Sequence, residues 1–149
     1  MISIILGSRS DLPEMEEAEK LLKDFGVKYE LQVISAHRNP EKLRAYIKEV
    51  EEKNFEVIIA AAGMAAHLPG VIASQTILPV IGVPMKSELL GLDSLFSIAQ
   101  MPRGIPVATM GIGKSGAVNA VLFALEILAR KYPEYKEKMR NYRERMRNE

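Results

Sequence analysis

The sequence predicts an α/β fold of the flavodoxin-like class: a doubly wound, five-stranded parallel sheet in three layers, with an extra C-terminal helix. Five apolar runs are separated by helical patterns, and several are apolar throughout, as is typical of parallel strands covered on both faces. The predicted strands are residues 2–6, 29–34, 57–61, 79–83 and 106–110. Because alternating strands and helices imply right-handed crossovers, the expected strand order is 2-1-3-4-5.

The first two helices have recognisable ends and apolar faces. Asp11 to Glu14 resembles a capping box at the start of the first helix, and Gly26 is expected to end that helix. In the second helix, Asn39 is the predicted N-cap and Pro40 fits the first helical position. The predicted buried faces are Met15, Ala18, Leu22 and Phe25 in the first helix, and Leu43, Tyr46, Ile47 and Val50 in the second.

The helix predicted over residues 115–131 is apolar on nearly all sides. One stripe contains Val118, Val121, Leu122, Leu125 and Leu128, and the other side carries Ala117, Phe123, Ala124 and Ile127. Since one sheet covers only one helix face, we expect a second copy of the chain to cover the other, which predicts a homo-oligomer. The charge-rich residues 132–149 predict a solvated helical tail, with contact to a neighbouring subunit as an open alternative.

Composition indicates a single domain over residues 1–149 and excludes several function classes. The chain is 48% hydrophobic, and its 20 basic and 19 acidic residues give a net charge of +1, which disfavours a nucleic-acid partner. The absence of cysteine excludes disulfides, thiolate chemistry and cysteine-ligated metals. The apolar stretch at 57–66 is too short to span a membrane, and no leader pattern is found, so we expect a soluble, cytoplasmic protein.

Three loops with polar side chains follow the first three predicted strands. They read GSRSD at 7–11, SAHR at 35–38 and AAGMAAHLPG at 61–70. Because ligands bind beyond the carboxyl ends of the strands in open α/β sheets, we expect these loops to meet at one edge. Their hydroxyls, carboxylate, guanidinium and two imidazoles predict a cradle for a phosphorylated polar ligand.

Taken singly, these residues also fit structural roles. The Gly7-Ser8 pair is consistent with a tight turn, Arg38 with an ordinary surface arginine, and His37 and His67 with structural histidines. A phospho-acceptor receiver is disfavoured because the third strand ends in Ala-Ala-Gly, and a flavin site because the chain lacks Trp. We predict no metal, since the two histidines and the carboxylates show no ligand spacing.

The motifs GSRSDLP, VISAHRNPEKL, AGMAAHLPGVIAS, LPVIGVPM and GLDSLFSIAQMPRGIPVATMGIG together resemble the phosphoribosylaminoimidazole carboxylase catalytic-subunit family of purine biosynthesis. The resemblance covers residues 2 to about 132 and is greatest for the N5-carboxyaminoimidazole ribonucleotide mutase branch. It implies a flavodoxin-like subunit of a homo-octamer, with active sites near subunit contacts. It also implies a cofactor-free isomerase that moves a carboxyl group from the exocyclic nitrogen to ring carbon four, and a link to the enzyme that supplies this substrate.

By position, the resemblance implies that His37 is catalytic and that Ser8, Asp11 and Arg38 bind the nucleotide. The remaining residues expected to line the pocket are Ser10, Ser35, Gly63, Ala66, His67 and Leu68. Histidine can donate and then accept a proton near neutral pH, and the arginine fork suits a phosphate. Two alternatives remain: a carboxylase that uses carbon dioxide directly, and a non-catalytic nucleotide-binding module.

The third loop carries both a branch signal and two departures from the family pattern. Its AAHLPG segment at 65–70 favours the mutase branch over the direct carboxylases. Family members usually have glycine at the positions of Ala61 and Met64. Two placements of Met64 are open: one in which it narrows the pocket and one in which it points away.

Overall fold

Five parallel strands form the central sheet in the computed structural model, which describes residues 1–148. The strands are β1 (Ile2–Leu6), β2 (Tyr29–Val33), β3 (Val57–Ala62), β4 (Val80–Pro84) and β5 (Ala108–Thr109). Their order is β2-β1-β3-β4-β5, which confirms the predicted fold class and strand order. The first four strands agree with the prediction to within one residue at each end, whereas the fifth is two residues long instead of the predicted five.

Helices and one short 3-10 turn connect and follow these strands. The helices are α1 (Leu12–Asp24), α2 (Pro40–Glu52), α3 (Leu68–Ala73), α4 (Leu92–Ala99), α5 (Lys114–Leu128) and α6 (Pro133–Arg147), with the turn at Arg9–Asp11. The buried residues of α1 and α5 belong to one apolar cluster, and those of α2 and α3 belong to a second. The sheet lies between these clusters, so the three-layer arrangement is confirmed.

Both faces of the inner strands are buried, which explains why their sequences do not alternate. In β1, Ile4 contributes to the cluster with α1 and α5, whereas its neighbour Ile5 contributes to the cluster with α2 and α3. Ser3 is the polar exception within this strand. Its hydroxyl lies 3.1 Å from the Tyr46 hydroxyl in a buried hydrogen bond, so the polar group has a partner where water is excluded.

The helix ends agree only partly with the predictions. Asp11 precedes α1 without a side-chain capping bond, and Ser8 instead accepts a hydrogen bond from Ser10 N at 3.3 Å to cap the 3-10 turn. The predicted capping box is therefore wrong, because a 3-10 turn precedes α1 and the first free N–H groups belong to this turn, where Ser8 is the cap. Asn39 also makes no side-chain capping bond, although Pro40 does begin α2 as predicted.

Gly26 ends α1 as predicted, and it does so in the left-handed conformation with φ of +67°. The N–H of Gly26 donates to Lys23 O and the N–H of Val27 donates to Leu22 O, each at 2.9 Å. These two bonds form a Schellman motif, which satisfies carbonyls that the helix leaves free. Glycine suits this position because it adopts a positive φ without the steric cost of a side chain.

Helix α5 is buried on one face only, and this face includes much of the predicted stripe: Val121, Leu125 and Leu128 are buried in the core. Ala117, Ala120 and Ala124 are fully buried, whereas Val118 is half-buried and Phe123 retains 37% exposure. The alanines therefore share the core face with the larger residues of the stripe, and Phe123 lies on the outer side. Burial on all sides is not reached within one chain, and the oligomer inferred from it remains a prediction.

The C-terminal helix α6 packs on its own chain. Met139 is buried, and Lys138 Nζ donates a 2.7 Å hydrogen bond to Phe25 O at the end of α1. The predicted solvated tail is thus charged on its outer side and anchored on its inner side; Glu149 lies outside the described residues. No helix within residues 1–148 is long and apolar enough to cross a membrane.

Candidate active site

The strand register brings the predicted loops together at one edge of the sheet. Leu6 at the end of β1 lies opposite Val33 in β2 and Ala61 in β3, and Ala62 lies opposite Pro84 in β4. Because the four strands end at nearly the same level, the loops that follow them enclose a common cleft of about 850 Å³. The predicted site residues that line this cleft are Ser8, Ser10, Asp11, Ser35, His37, Arg38, Gly63, His67 and Leu68.

Ala66 is the predicted pocket residue that does not line the cleft. It is only 1% exposed and belongs to the apolar cluster beneath α2 and α3. Its neighbours His67 and Leu68 do line the cleft, at the residue before α3 and at the first residue of α3. Ala66 therefore supports the loop from below.

The two histidines of the chain meet at the cleft. His37 Nε2 and His67 Nδ1 are 2.9 Å apart, although the residues are 30 positions apart in the sequence. The ring planes are perpendicular, with centroids 5.0 Å apart, so the rings form an edge-on hydrogen bond rather than a stack. Both side chains are exposed to the cleft, where a bound ligand can reach them.

A hydrogen-bonded turn holds His37 and Arg38 at the end of β2. Ser35 Oγ accepts a hydrogen bond from Arg38 N at 3.2 Å, and Ser35 O accepts one from Asn39 N at 2.9 Å. The turn orients both side chains into the cleft, which explains why polar, short-range hydrogen bonding is needed directly after a strand. Within residues 1–148, the Arg38 guanidinium takes part in none of the ion pairs, so its donors remain available to a ligand.

The loop after β1 supplies hydroxyls and one carboxyl group. Ser10 Oγ donates to Ser8 Oγ at 2.8 Å and lies 3.3 Å from Asp11 Oδ1. Burial raises the pKa of Asp11 above its ordinary value, although hydrogen bonds from the Ser10 side chain and the Ser8 backbone oppose this shift. A carboxyl group in this position gains stability by accepting hydrogen bonds from ligand hydroxyls.

Met64 adopts a backbone conformation that favours glycine. Its φ is +57° in the left-handed region, which costs a non-glycine residue roughly 1–2 kcal/mol. Its side chain lies at the cleft mouth with 69% exposure, so it neither fills the cleft nor points away from it. Ala61, the other departure from the family pattern, is fully buried within β3, and its carbonyl accepts a hydrogen bond from Gly7 N at 2.9 Å.

A fourth wall of the cleft was missed from the sequence. Lys86, Ser87, Glu88 and Leu89 follow β4, and Asp93 lies in the first turn of α4. Ser87 Oγ donates to Asp93 Oδ1 at 2.5 Å, and this hydrogen bond is the main reason that the pKa of Asp93 is lowered. The sequence could have predicted this wall, because β4 was predicted beside β3 and the loop after β4 therefore begins at the same edge of the sheet.

This arrangement can bind a phosphorylated ligand and move a proton. Two cations line the cleft: Arg38 in the loop after β2, next to His37, and Lys86 in the loop after β4. A neutral imidazole can accept a proton that its protonated form later donates. No three histidine, aspartate or glutamate side chains within the described part of the chain are grouped as metal ligands.

Comparison with known proteins gives concordant results. A family model described as AIR carboxylase matches residues 1–149. The N5-carboxyaminoimidazole ribonucleotide mutase of Pyrococcus abyssi is 64% identical over 97% of this chain and 83% of the relative. The proteins of the same name from Thermotoga maritima and Escherichia coli are 55% and 48% identical, over 99% and 95% of this chain and 86% and 85% of the relatives.

The fold is similar to that of solved structures as well. The crystal structure of Treponema denticola PurE matches with a TM-score of 0.90 and 28% identity, over 99% of this chain and 91% of that chain. A second crystal structure, of a single-residue variant of PurE2 from the same organism, gives a TM-score of 0.87 at 26% identity, with the same coverage. The match over the whole sequence, together with the shared fold, shows that the chain belongs to the AIR carboxylase family.

Proposed function

We propose that this chain is an N5-carboxyaminoimidazole ribonucleotide mutase, an isomerase of purine biosynthesis. The proposal is supported by relatives of that name at 48% to 64% identity over most of the chain. The observation that carries it in this structure is the placement of His37, with a hydrogen-bonded imidazole partner, directly beside Arg38, whose cation has no ion-pair partner among residues 1–148. A proton carrier and a phosphate anchor are the two groups that this reaction requires.

The nucleotide part of the substrate is held by the loops after β1 and β2. Arg38 offers a planar fork of donors to the phosphate, with Ser10 and Ser35 nearby in the same cleft. Asp11 accepts hydrogen bonds from ribose hydroxyls, which adds partners for its buried carboxyl group. Ser8 and Gly63 line the space between these groups, and His67 and Leu68 close its far side.

The reaction proceeds by release and recapture of carbon dioxide. The bond between the exocyclic nitrogen and the carboxyl carbon breaks, its electron pair stays on nitrogen, and this nitrogen takes a proton from the His37 imidazolium. Ring carbon four then attacks the released carbon dioxide, and a new carbon–carbon bond forms. Neutral His37 removes the proton from carbon four, which restores the aromatic ring and the imidazolium, so that no external acid or base is consumed.

We propose further that the chain acts as a homo-oligomer, with an octamer as the expected assembly. Four large apolar side chains are exposed next to the cleft, in and after the loop that follows β4: Leu89, Leu90, Leu92 and Phe96. A patch of this kind marks an interaction surface in soluble proteins. Its cover by a second copy would exclude water from the cleft and limit the escape of carbon dioxide.

The cytoplasmic location and the link to a supplying enzyme belong to the same proposal. The substrate is a phosphorylated nucleotide, which does not cross a membrane unaided because the charged phosphate resists desolvation. Its carboxyl group on nitrogen is labile, so a carboxylating enzyme must make it close in time to its use. This enzyme is a functional partner rather than a bound subunit.

Turnover of the purified chain tests the proposed function. With the N-carboxylated ribonucleotide in bicarbonate-free buffer, we expect efficient formation of the product carboxylated at carbon four. Labelled bicarbonate added to the buffer should enter the product only slightly, because recapture is faster than exchange. Efficient carboxylation of aminoimidazole ribonucleotide at modest bicarbonate, with poor use of the N-carboxylated compound, would identify a direct carboxylase instead.

A further inference from the structure

Two cationic side chains line the cleft, and the proposed function uses only one of them. Arg38 follows β2, whereas Lys86 follows β4. Because β1 and β3 lie between these two strands, their ends are three strand spacings, or about 14 Å, apart. The cations therefore start from the two outer strands of the four that border the cleft, and together they suit a ligand with two separated anionic groups.

The carboxylates on the same wall of the cleft do not neutralise Lys86. Asp93 accepts a hydrogen bond from Ser87 Oγ at 2.5 Å, so its charge already has a partner. Glu88 is exposed and forms no ion pair with any other described residue. Lys86 likewise takes part in none of the ion pairs within residues 1–148. Its ammonium group is available to an anionic group of a ligand.

The side chain of Lys86 passes beside Gly113, the residue before α5. Lys86 Cε lies 3.7 Å, and Glu14 Oε2 3.2 Å, from the position that a Cβ would occupy at Gly113. Gly113 has a φ of +72°, which favours glycine, and the missing side chain leaves room for both groups. Glu14 is therefore the neighbouring carboxylate with which a bound anionic group would compete for the ammonium.

The substrate of the proposed reaction has two anionic groups at its two ends. Its phosphate lies on one side of the ribose, and its carboxyl group lies on the aminoimidazole at the other side. The planar fork of Arg38 suits the phosphate, whereas Lys86 offers a compact charge on a flexible stem. This stem lets the ammonium follow the carboxyl group during transfer, because the exocyclic nitrogen is attached to the ring atom next to carbon four.

We propose that Lys86 is a specificity-determining residue, whose ammonium group binds the carboxylate of the carboxylated ribonucleotides. The inference rests on the proposed function, which supplies these ligands and the role of Arg38. Lys86 selects them over aminoimidazole ribonucleotide, because only they present a carboxylate to the cation. Substrate and product both carry this anion, whereas released carbon dioxide is uncharged. The contact therefore stabilises the two end states and not the intermediate between them.

The kinetic signature of this role is a change in KM without a loss of kcat. Lys86→Met keeps most of the side-chain length and removes the charge. We expect KM to rise about 3- to 30-fold for the N-carboxylated substrate, and by a similar factor for the product in the reverse reaction. This range lies between the losses typical of an exposed ion pair and of a hydrogen bond to a charged group, since Lys86 is exposed. A fall in kcat with unchanged KM would overturn the inference.

Ligand binding gives a test that involves no turnover. In a His37→Asn background, calorimetry measures Kd for the product carboxylated at carbon four and for aminoimidazole ribonucleotide. Adding Lys86→Met should raise Kd about 3- to 30-fold for the carboxylated compound and less than about twofold for the other. Arg38→Ala should weaken both alike, because both carry the phosphate. Lys48→Met, at an exposed position on α2 outside the cleft lining, is the control for net charge.

Equal weakening of both ligands by Lys86→Met would overturn the inference, because Lys86 would then bind the phosphate. Unchanged affinity for the carboxylated compound would also overturn it. Lys86→Arg keeps the charge and should raise this Kd less than about threefold, so a loss as large as that of Lys86→Met would contradict a charge contact. Circular dichroism and thermal unfolding establish that each variant folds.

The outcomes for the inference and for the proposed function are separate. If the unmodified chain isomerises the substrate but Lys86→Met leaves the selectivity unchanged, only the role of Lys86 falls. If Lys86 sets the selectivity in the binding experiment and the unmodified chain does not isomerise the substrate, the proposed function falls instead. If the unmodified chain binds neither ribonucleotide, both fall.

Discussion

Two polar clusters lie at opposite edges of the sheet, and they differ in how completely their groups are paired. At the edge where β3 begins, Tyr132 donates a hydrogen bond to the Glu56 carboxylate, and Lys131 Nζ lies 3.3 Å from the same group. At the cleft edge, Arg38 has no carboxylate partner among the described residues, and the His37 ring is bonded to another imidazole.

The difference separates groups that hold the chain together from groups that act on a ligand. The Glu56 cluster joins residues about 75 positions apart and connects the segment between α5 and α6 to the sheet. Burial raises the pKa of Glu56, but hydrogen bonds from Tyr132 and Lys131 outweigh it and leave that pKa below its ordinary value. In the cleft, the Arg38 guanidinium and the Asp11 carboxyl group, whose pKa is raised by burial, can both form further hydrogen bonds with a substrate.

The largest expected effect is that of His37→Asn, which should abolish the chemistry of the cleft without affecting the other edge. Asparagine keeps size and polarity but carries no proton at neutral pH, so kcat should fall by about 10²- to 10⁴-fold. Because the side chain is exposed, the free energy of unfolding should change by less than about 0.5 kcal/mol. Retention of more than about a tenth of the rate would show that His37 is not the proton carrier.

Arg38→Ala should weaken substrate binding and spare the chemical step. A phosphate anchor acts alike in the ground state and the transition state, so KM should rise while kcat stays nearly constant. The expected loss is about 1.5 to 3 kcal/mol, the typical contribution of a hydrogen bond to a charged group. Steady-state kinetics measures both constants. Arg44→Ala, at an exposed position on α2, is the matched control, and an equal rise in its KM would indicate a general charge effect.

Glu56→Gln should lower stability by a pH-dependent amount and leave kcat unchanged. Because the pKa of Glu56 is lower in the folded chain than in the unfolded chain, its charge stabilises the fold at neutral pH. That contribution is full above the ordinary value of 4.5 and disappears as pH falls through the folded value. Denaturant unfolding should give a difference of about 1 kcal/mol at pH 7 and a smaller difference at pH 3.

The matched control for this experiment is Glu52→Gln, since Glu52 is exposed at the end of α2 and forms no ion pair with the described residues. Its substitution should change the free energy of unfolding by less than about 0.5 kcal/mol at either pH. If the Glu56 variant differed from the unmodified chain equally at pH 7 and pH 3, packing rather than charge would account for the loss.

Several features were predictable because they depend on local patterns. The Gly26 stop, the buried face of α2 and the positions of the four longer strands follow from side-chain periodicity and turn chemistry. The three polar loops were placed at one edge by the general rule for parallel sheets, and the register of β1, β2 and β3 agrees with that rule. The predicted cap at Asp11 was wrong because a 3-10 turn at Arg9–Asp11 precedes α1, and Ser8 caps this turn by accepting a hydrogen bond from Ser10 N.

The amino-acid sequence alone thus determined the alternation of strands and helices, their order in the sheet and the side chains delivered to the cleft, since these follow from patterns within one element or its adjoining loop. Tertiary structure alone decided the contact of His37 with His67, the fourth wall from Lys86 to Asp93 and the attachment of α6 through Lys138. Each of these depends on distances of a few ångströms between segments that are far apart in the chain. Such distances arise from how the layers pack, and no local periodicity encodes them.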